Sequence, residues 1–374
     1  MNRIVSRIRK PVRRGGGERY LLFTLLSFAV SVALTRLFLE LADYPQLGGG
    51  ELHIAHVLWG GLLLFAAALL PLIFANRWVY VTGSLLAGVG VGLFIDEIGK
   101  FITQTNDYFH PAAAPIVYAF FLLTVMVYLR IRRPGVRDSR DELYRALDEL
   151  QEVLDHDLER SERLALEFRL RWIAEEDEHP DLVHLAKELL DFLSSDALHL
   201  APDIPSFIER LLERLRKFER RWVTERRLKA VLVGGLAALG ILAVIDLCKL
   251  LLAASDPAHL QRMIAELVAL GRVASSSGMF WFTARVVVEG FVGLLLVVAA
   301  GLLIANREAR GVAAGYLGLL LSLAVVNLLV FYFEQFSTIL YATVQFTLLL
   351  GIFYYRRRYL TPQIFLGSEI VERW

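Results

Sequence analysis

His53 and His56 stand three residues apart in "ELHIAHVLWGG", a spacing that stacks two imidazoles on one helix face, about a turn apart. Further on, "GVGVGLFIDEIGKF" ends an apolar, glycine-rich run in two adjacent carboxylates, Asp96 and Glu97, with Lys100 a turn beyond. A third histidine, His110, follows in "NDYFHP". Histidine nitrogens and carboxylates in this number are a donor set for zinc or another divalent metal. Without a metal, the same groups suit proton-coupled binding, because a buried carboxylate beside a histidine exchanges a proton in the physiological range. The plainer alternative is an i,i+4 ion pair between Asp96 and Lys100 at a water boundary. Gly88, Gly92 and Asp96 share that helix face, and small residues spaced by four let a neighbouring helix approach closely. "GVGVG" is not a dinucleotide loop, since no strand precedes it and no soluble helix follows.

Other charges interrupt apolar runs: Arg36 and Glu40, Asp246 and Lys249, Arg285 and Glu289, and Glu334. A charge inside a membrane is costly, faces protein or water, and marks a functional path. The expectation is a charged cavity formed by Asp96, Glu97, Lys100, Arg36, Glu40, Asp246, Arg285, Glu289 and Glu334, with His53, His56 and His110 as metal ligands if metal binds. No GxSxG elbow, HExxH motif or Ser-His-Asp order is present. The single cysteine, Cys248, excludes a disulfide framework and any multi-cysteine metal centre.

The elements that position these groups are membrane helices. Of 374 residues, 56% are hydrophobic, and apolar runs recur at the length that crosses a bilayer core. Eight spans are expected, at roughly 20–42, 54–75, 79–102, 113–130, 229–254, 280–304, 311–333 and 338–356. Basic residues gather in the N-terminal arm, "ANRW", "RIRRPGVR", "ERRLK", "ANREAR" and "YYRRRY", while the alternate loops are acidic or neutral. The positive-inside rule then puts both termini in the cytoplasm and the charged cluster at the outer side of a bacterial inner membrane. The N-terminus reads as an uncleaved anchor.

The expected fold class is an all-α integral membrane protein of two related four-helix halves joined by a cytoplasmic helical insert. Its divisions are a basic arm (1–19), a first half (20–133), the insert (134–228), a second half (229–358) and a tail (359–374). "ANR" recurs at the same turn of each half, which suggests a parallel duplication. In the insert, Leu143, Leu147, Leu150 and Leu154 repeat as in a coiled-coil seam or helical hairpin. "SFIERLLERLRKFERRW" carries a capping box and an apolar stripe. "SDPAHLQRMIAELVALGRVASSSG" reads as an amphipathic surface helix. Arg220, Arg221, Arg226, Arg227 and Lys229 would attract anionic lipid headgroups, the insert could support a homo-oligomer, and nucleic acid is not an expected partner. Three functions fit: transport or flipping of a small solute or lipid, an outer-face and possibly metal-dependent enzyme on a lipid-linked substrate, or a receptor signalling through the insert. The substrate is not legible.

Overall fold

The computed structural model describes residues 11–43, 55–133, 137–177, 179–195, 198, 200–201, 214, 223–255 and 276–360. Among them there is no β-strand, only one isolated bridge between Glu159 and Ala201. Among the described residues seven helices are long and apolar enough to cross a membrane, so the chain has the build of a multi-pass membrane protein. They are α1 (Gly17–Leu41), α2 (His56–Ile73), α3 (Trp78–Asp96), α4 (Ala113–Arg132), α8 (Glu225–Ser255), α9 (Ser276–Ile304) and a long run, Glu308–Leu360. The described part of the insert holds α5 (Ser139–Glu149), a single turn (Gln151–Leu154), α6 (Arg160–Glu176) and α7 (Pro180–Ser194). The "SFIERLLERLRKFERRW" helix, apart from Arg214, and most of the "SDPAHL" helix lie outside the described residues.

The chain divides into two compact units, Met1–Glu97 with Leu123–Arg210, and Ile98–Leu122 with Leu211–Trp374. In the first, α3 packs against both α1 and α2, and its glycines are shared between them. A Cβ on Gly88 would come within 2.3 Å of the Thr24 carbonyl oxygen, and one on Gly92 within 2.7 Å of Ser31 Cβ, both on α1. Gly90 faces α2 instead, where it meets Gly60 backbone to backbone. The approach lets Ser31 Oγ donate to the Val89 carbonyl (3.2 Å) and Thr24 Oγ1 to that of Ser84 (3.1 Å). Interhelical hydrogen bonds of this kind are the glue left where lipid offers no hydrophobic driving force.

The insert core is built from Leu143, Ala146, Leu158, Leu166, Leu170, Ile173, Ala186 and Leu193. The leucine seam is not continuous: Leu147 is 45% and Leu154 80% exposed, and α5 stops at Glu149. The buried stripe is Leu143, Ala146 and, in part, Leu150, the i, i+3, i+7 face, which counting leucines alone misses because alanine supplies one position. At the insert-facing end of this unit, Arg14 pairs with Asp148 (3.3 Å), Arg77 with Glu152, and Asn76 Nδ2 donates to Asp155 (3.4 Å). Arg13 also donates to the carbonyls of Ile131 and Arg133. The basic arm, the "ANRW" turn, the end of α4 and the insert thus meet at one end.

In the second unit, α9 is flanked by α8, where Gly240 meets the Gly293 carbonyl, and by the run from Glu308. That run comprises α10 (Glu308–Leu321), a π-helical turn (Ser322–Val326), α11 (Asn327–Glu334) and, after Gln335–Thr338, α12 (Ile339–Tyr355). Gln335 has φ 50° and ψ −137°, and the chain reverses there. Gly315 lies against Ile352, Ser322 bonds Gln345 and Asn327 also bonds Gln345, so rising numbers meet falling ones as in an antiparallel hairpin. In the first unit the central helix α3 contacts α1 and α2; in the second, α9 contacts α8 and α10. Lys229 donates to Glu308 (2.7 Å) and to Asn306 Oδ1 (2.7 Å).

Gly88→Ala should force α1 and α3 apart at a cost of about 1–3 kcal/mol. The midpoint of thermal unfolding in detergent is expected to fall by several degrees. Gly61→Ala is the control, because a Cβ there meets nothing within 4 Å. Equal midpoints for the two variants would refute the close crossing.

Candidate functional site

Asp96 is the last residue of α3 and continues the Gly88–Gly92 stripe, so the close crossing with α1 carries it onto Arg36. Arg36 Nε donates to Asp96 Oδ1 at 2.6 Å and Nη2 to the Asp96 carbonyl at 3.0 Å. The guanidinium therefore neutralises the side chain and also caps the negative end of the helix. Both partners are buried, Arg36 at 6% exposure and Asp96 at 0%. A pair this dry holds only because its hydrogen bonds are nearly complete.

The other carboxylate oxygen of Asp96 meets His56, the first residue of α2, with Nε2 at 3.1 Å from Oδ2. His56 Nδ1 lies 3.0 Å from Glu97 Oε1, and Glu97 is itself 1% exposed. A regular helix would turn Glu97 about 100° away from Asp96. It does not here, because α3 ends at Asp96 and Glu97 caps it with φ −88° and ψ 11°, before the short turn Ile98–Ile102. The sequence-derived span 79–102 is thereby cut, and that break lets two neighbouring carboxylates address one imidazole from its two sides.

The second unit gathers Arg285, Glu289 and Glu334. Arg285 Nη2 donates to Glu334 Oε1 at 2.8 Å, and Arg285 Nε lies 3.4 Å from Glu289 Oε2 one turn along α9. Asp246 and Lys249 form an exposed pair on α8 at 2.9 Å, and Glu40 is exposed. Lys100 lies over the Tyr108 ring, 5.3 Å from its centre. His110 Nδ1 accepts from the Ala112 amide at 3.3 Å. His53 lies outside the described residues. Among the described residues no three His, Cys, Asp or Glu are arranged to hold a metal ion. In this geometry each ring nitrogen of His56 is already turned to a carboxylate.

A buried network of uncharged groups escaped the sequence reading. At the π-helical turn, Tyr118 donates to the Leu323 carbonyl (2.6 Å), and Asn327 Nδ2 donates to Gln345 Oε1 (2.8 Å) and lies 3.4 Å from Tyr118 Oη. Gln345 Nε2 donates to Ser322 Oγ at 2.8 Å. Asn327 is 1% and Gln345 0% exposed. A search for charges in apolar runs passes over amides; asking which carboxamides interrupt a span would have found both.

Comparison with protein-family models, with curated proteins and with solved structures finds no match for the chain.

Proposed function

We propose that the protein transports or flips a small solute or lipid across a membrane, coupled to a proton held between His56 and Glu97. One observation carries this reading: a single imidazole has a sealed carboxylate on each ring nitrogen, at 3.1 and 3.0 Å. A protonated ring hydrogen-bonds Asp96 through Nε2 and sets its charge 3.0 Å from Glu97 Oε1, an ion pair without hydrogen-bond alignment. A neutral ring loses that countercharge. Asp96 is already held by Arg36, which makes Glu97 the alternative place for that proton. Moving that proton changes the charge that His56 sets against the end of α3, and so biases the arrangement of α1, α2 and α3. This is the link from protonation to movement.

We read eight crossings, counting Glu308–Leu360 as two because of its reversal at Gln335, in two sets of four on either side of the insert. Both termini and the insert lie on the cytoplasmic side in this reading. The meeting of Arg14, Arg77 and the acidic residues of the insert at one end supports their common side. The same ion pairs favour a second reading, a sensor whose insert reports the state of the membrane helices. Anionic headgroups remain partners for the exposed Arg226 and Arg227, and a homo-oligomer would use the insert. Metal analysis of purified protein separates both readings from a metal-dependent outer-face enzyme.

The transport reading is tested in vesicles loaded with a pH-sensitive dye, using fluorescent short-chain glycerophospholipids and a panel of small amines, acids and zwitterions. Wild-type protein should move at least one probe faster than empty vesicles, at a rate set by the imposed pH gradient. Glu97→Gln should fold and lose that pH dependence. Rates equal to empty vesicles across the panel, or indifferent to pH in the wild type, would sink the proposal.

Asp96→Asn has a different expected outcome. It strands Arg36 in a dry site, at a cost of about 3–5 kcal/mol, and should lower the unfolding midpoint far more than Glu97→Gln does.

Cysteines placed at Gly49 and Asp177 in a Cys248→Ala background test the topology. An impermeant thiol reagent on intact cells should label the first and spare the second; the reverse pattern would invert the orientation.

A further inference from the structure

Asn327 stands where α10 and α11 fall out of step. In an α-helix its backbone N–H would bond the Leu323 carbonyl, four residues back. Here it bonds that of Ser322, five back, and closes the π-helical turn. The Leu323 carbonyl takes the Tyr118 hydroxyl instead, at 2.6 Å. The wide turn absorbs one extra residue, so each α11 side chain stands where its predecessor would stand in an uninterrupted helix. Side chains keep this register: Asn327 Nδ2 donates to Gln345 (2.8 Å), and Gln345 donates to Ser322 (2.8 Å).

The register is held but not fully satisfied. Asn327 Oδ1 is buried and receives no hydrogen bond among the described residues, a defect that native structures rarely keep without a use for it. Closing the turn only exchanges hydrogen bonds: the Asn327 N–H returns to Leu323, and the Tyr118 hydroxyl is freed. Relative to α10, α11 then turns by about 100° and advances by about 1.5 Å. Each α11 residue takes the place that its successor now holds. Asn327 moves to the place of Leu328, beside the Ala114, Tyr118 and Phe331 cluster, where a freed tyrosine hydroxyl can donate to Oδ1. At the other end of α11, Phe333 moves to the place of Glu334, and Glu334 leaves the Arg285 that now donates to it.

We infer that α10 and α11 form a two-register helix, in which the hydrogen bond from Tyr118 to the Leu323 carbonyl holds the wide register and its release turns α11 away from Arg285. The helix is a bistable element of the kind that conformational change requires, because its two arrangements differ by one residue of register and not by degrees. On the transport reading it is a moving part of the second unit, and its biological use rests on that reading. The register itself is measured without flux, so either can fail without the other.

The test places nitroxide labels on single cysteines at Phe331, Tyr332 and Phe333 of the full chain, in a Cys248→Ala background and in lipid bilayers, and reads collision with dissolved oxygen. In the wide register Tyr332 is 42% exposed against 4% for Phe331 and 8% for Phe333, so collision should peak at 332. Tyr118→Phe keeps the ring and removes the donor. It should raise collision at 331 by about twofold or more and lower it at 332, as a shift of population into the second register requires. Deleting Val325 removes the extra residue and leaves α11 facing as it does now; in that background the peak should stay at 332 and Tyr118→Phe should move nothing. If Tyr118→Phe alone does not fold, the deletion should restore folding, since the Leu323 carbonyl then has a helical donor. A peak unmoved by Tyr118→Phe, an equal rise at all three positions, the same shift in the deletion background, or no rescue of a misfolded variant would each overturn the inference.

Discussion

Arg36 and Asp96 are opposite charges shut inside a bundle of apolar helices, and the first unit is arranged so that they can stay there. An unpaired charge in such a place is intolerable, so each demands the other at hydrogen-bonding distance. Meeting that demand requires α1 and α3 to lie closer than side chains normally allow, which is what Gly88 and Gly92 permit. The glycines and the ion pair are one device: the stripe sets the distance, and the charge fixes rotation and depth. His56 is added to a carboxylate already immobilised, hydrogen-bonding it through Nε2 while Nδ1 lies 3.0 Å from Glu97.

The second unit meets the same demand differently. Its arginine pairs along its own helix with Glu289 and across to Glu334, and the deeper polar groups are amides rather than charges. Amides cost less to bury than ions and hold helices together without fixing a charge state. One unit thus ties its helices together through charges, the other largely through amides.

Much of the helical architecture was legible in advance, because a bilayer accepts only long apolar runs whose backbone bonds close within the segment. The glycine stripe was legible for an equally strict reason: a close crossing tolerates no Cβ. Residue types in the Arg36–Asp96–His56–Glu97 group stood out, but their pairing did not. It depends on the helix ending at Asp96, whereas the nearest glycine, Gly99, stands three residues further on. The insert misled in another way, since Leu147 and Leu154 keep coiled-coil spacing while facing outward, and Ala146 does the packing they promised. Asn327 and Gln345 were missed because uncharged polar residues scarcely dent an apolar average.

The hydrogen bond from Tyr118 to the Leu323 carbonyl joins residues 205 positions apart. A π-helical turn shifts backbone bonding out of register, and in this chain a carbonyl beside the shift is satisfied by a side chain made long before it. The terminal hairpin therefore cannot reach its final bonding when it first enters the bilayer; it must wait for, and recognise, a helix already there. Biogenesis acquires an order: the tyrosine-bearing helix is the template, the late hairpin the piece fitted to it.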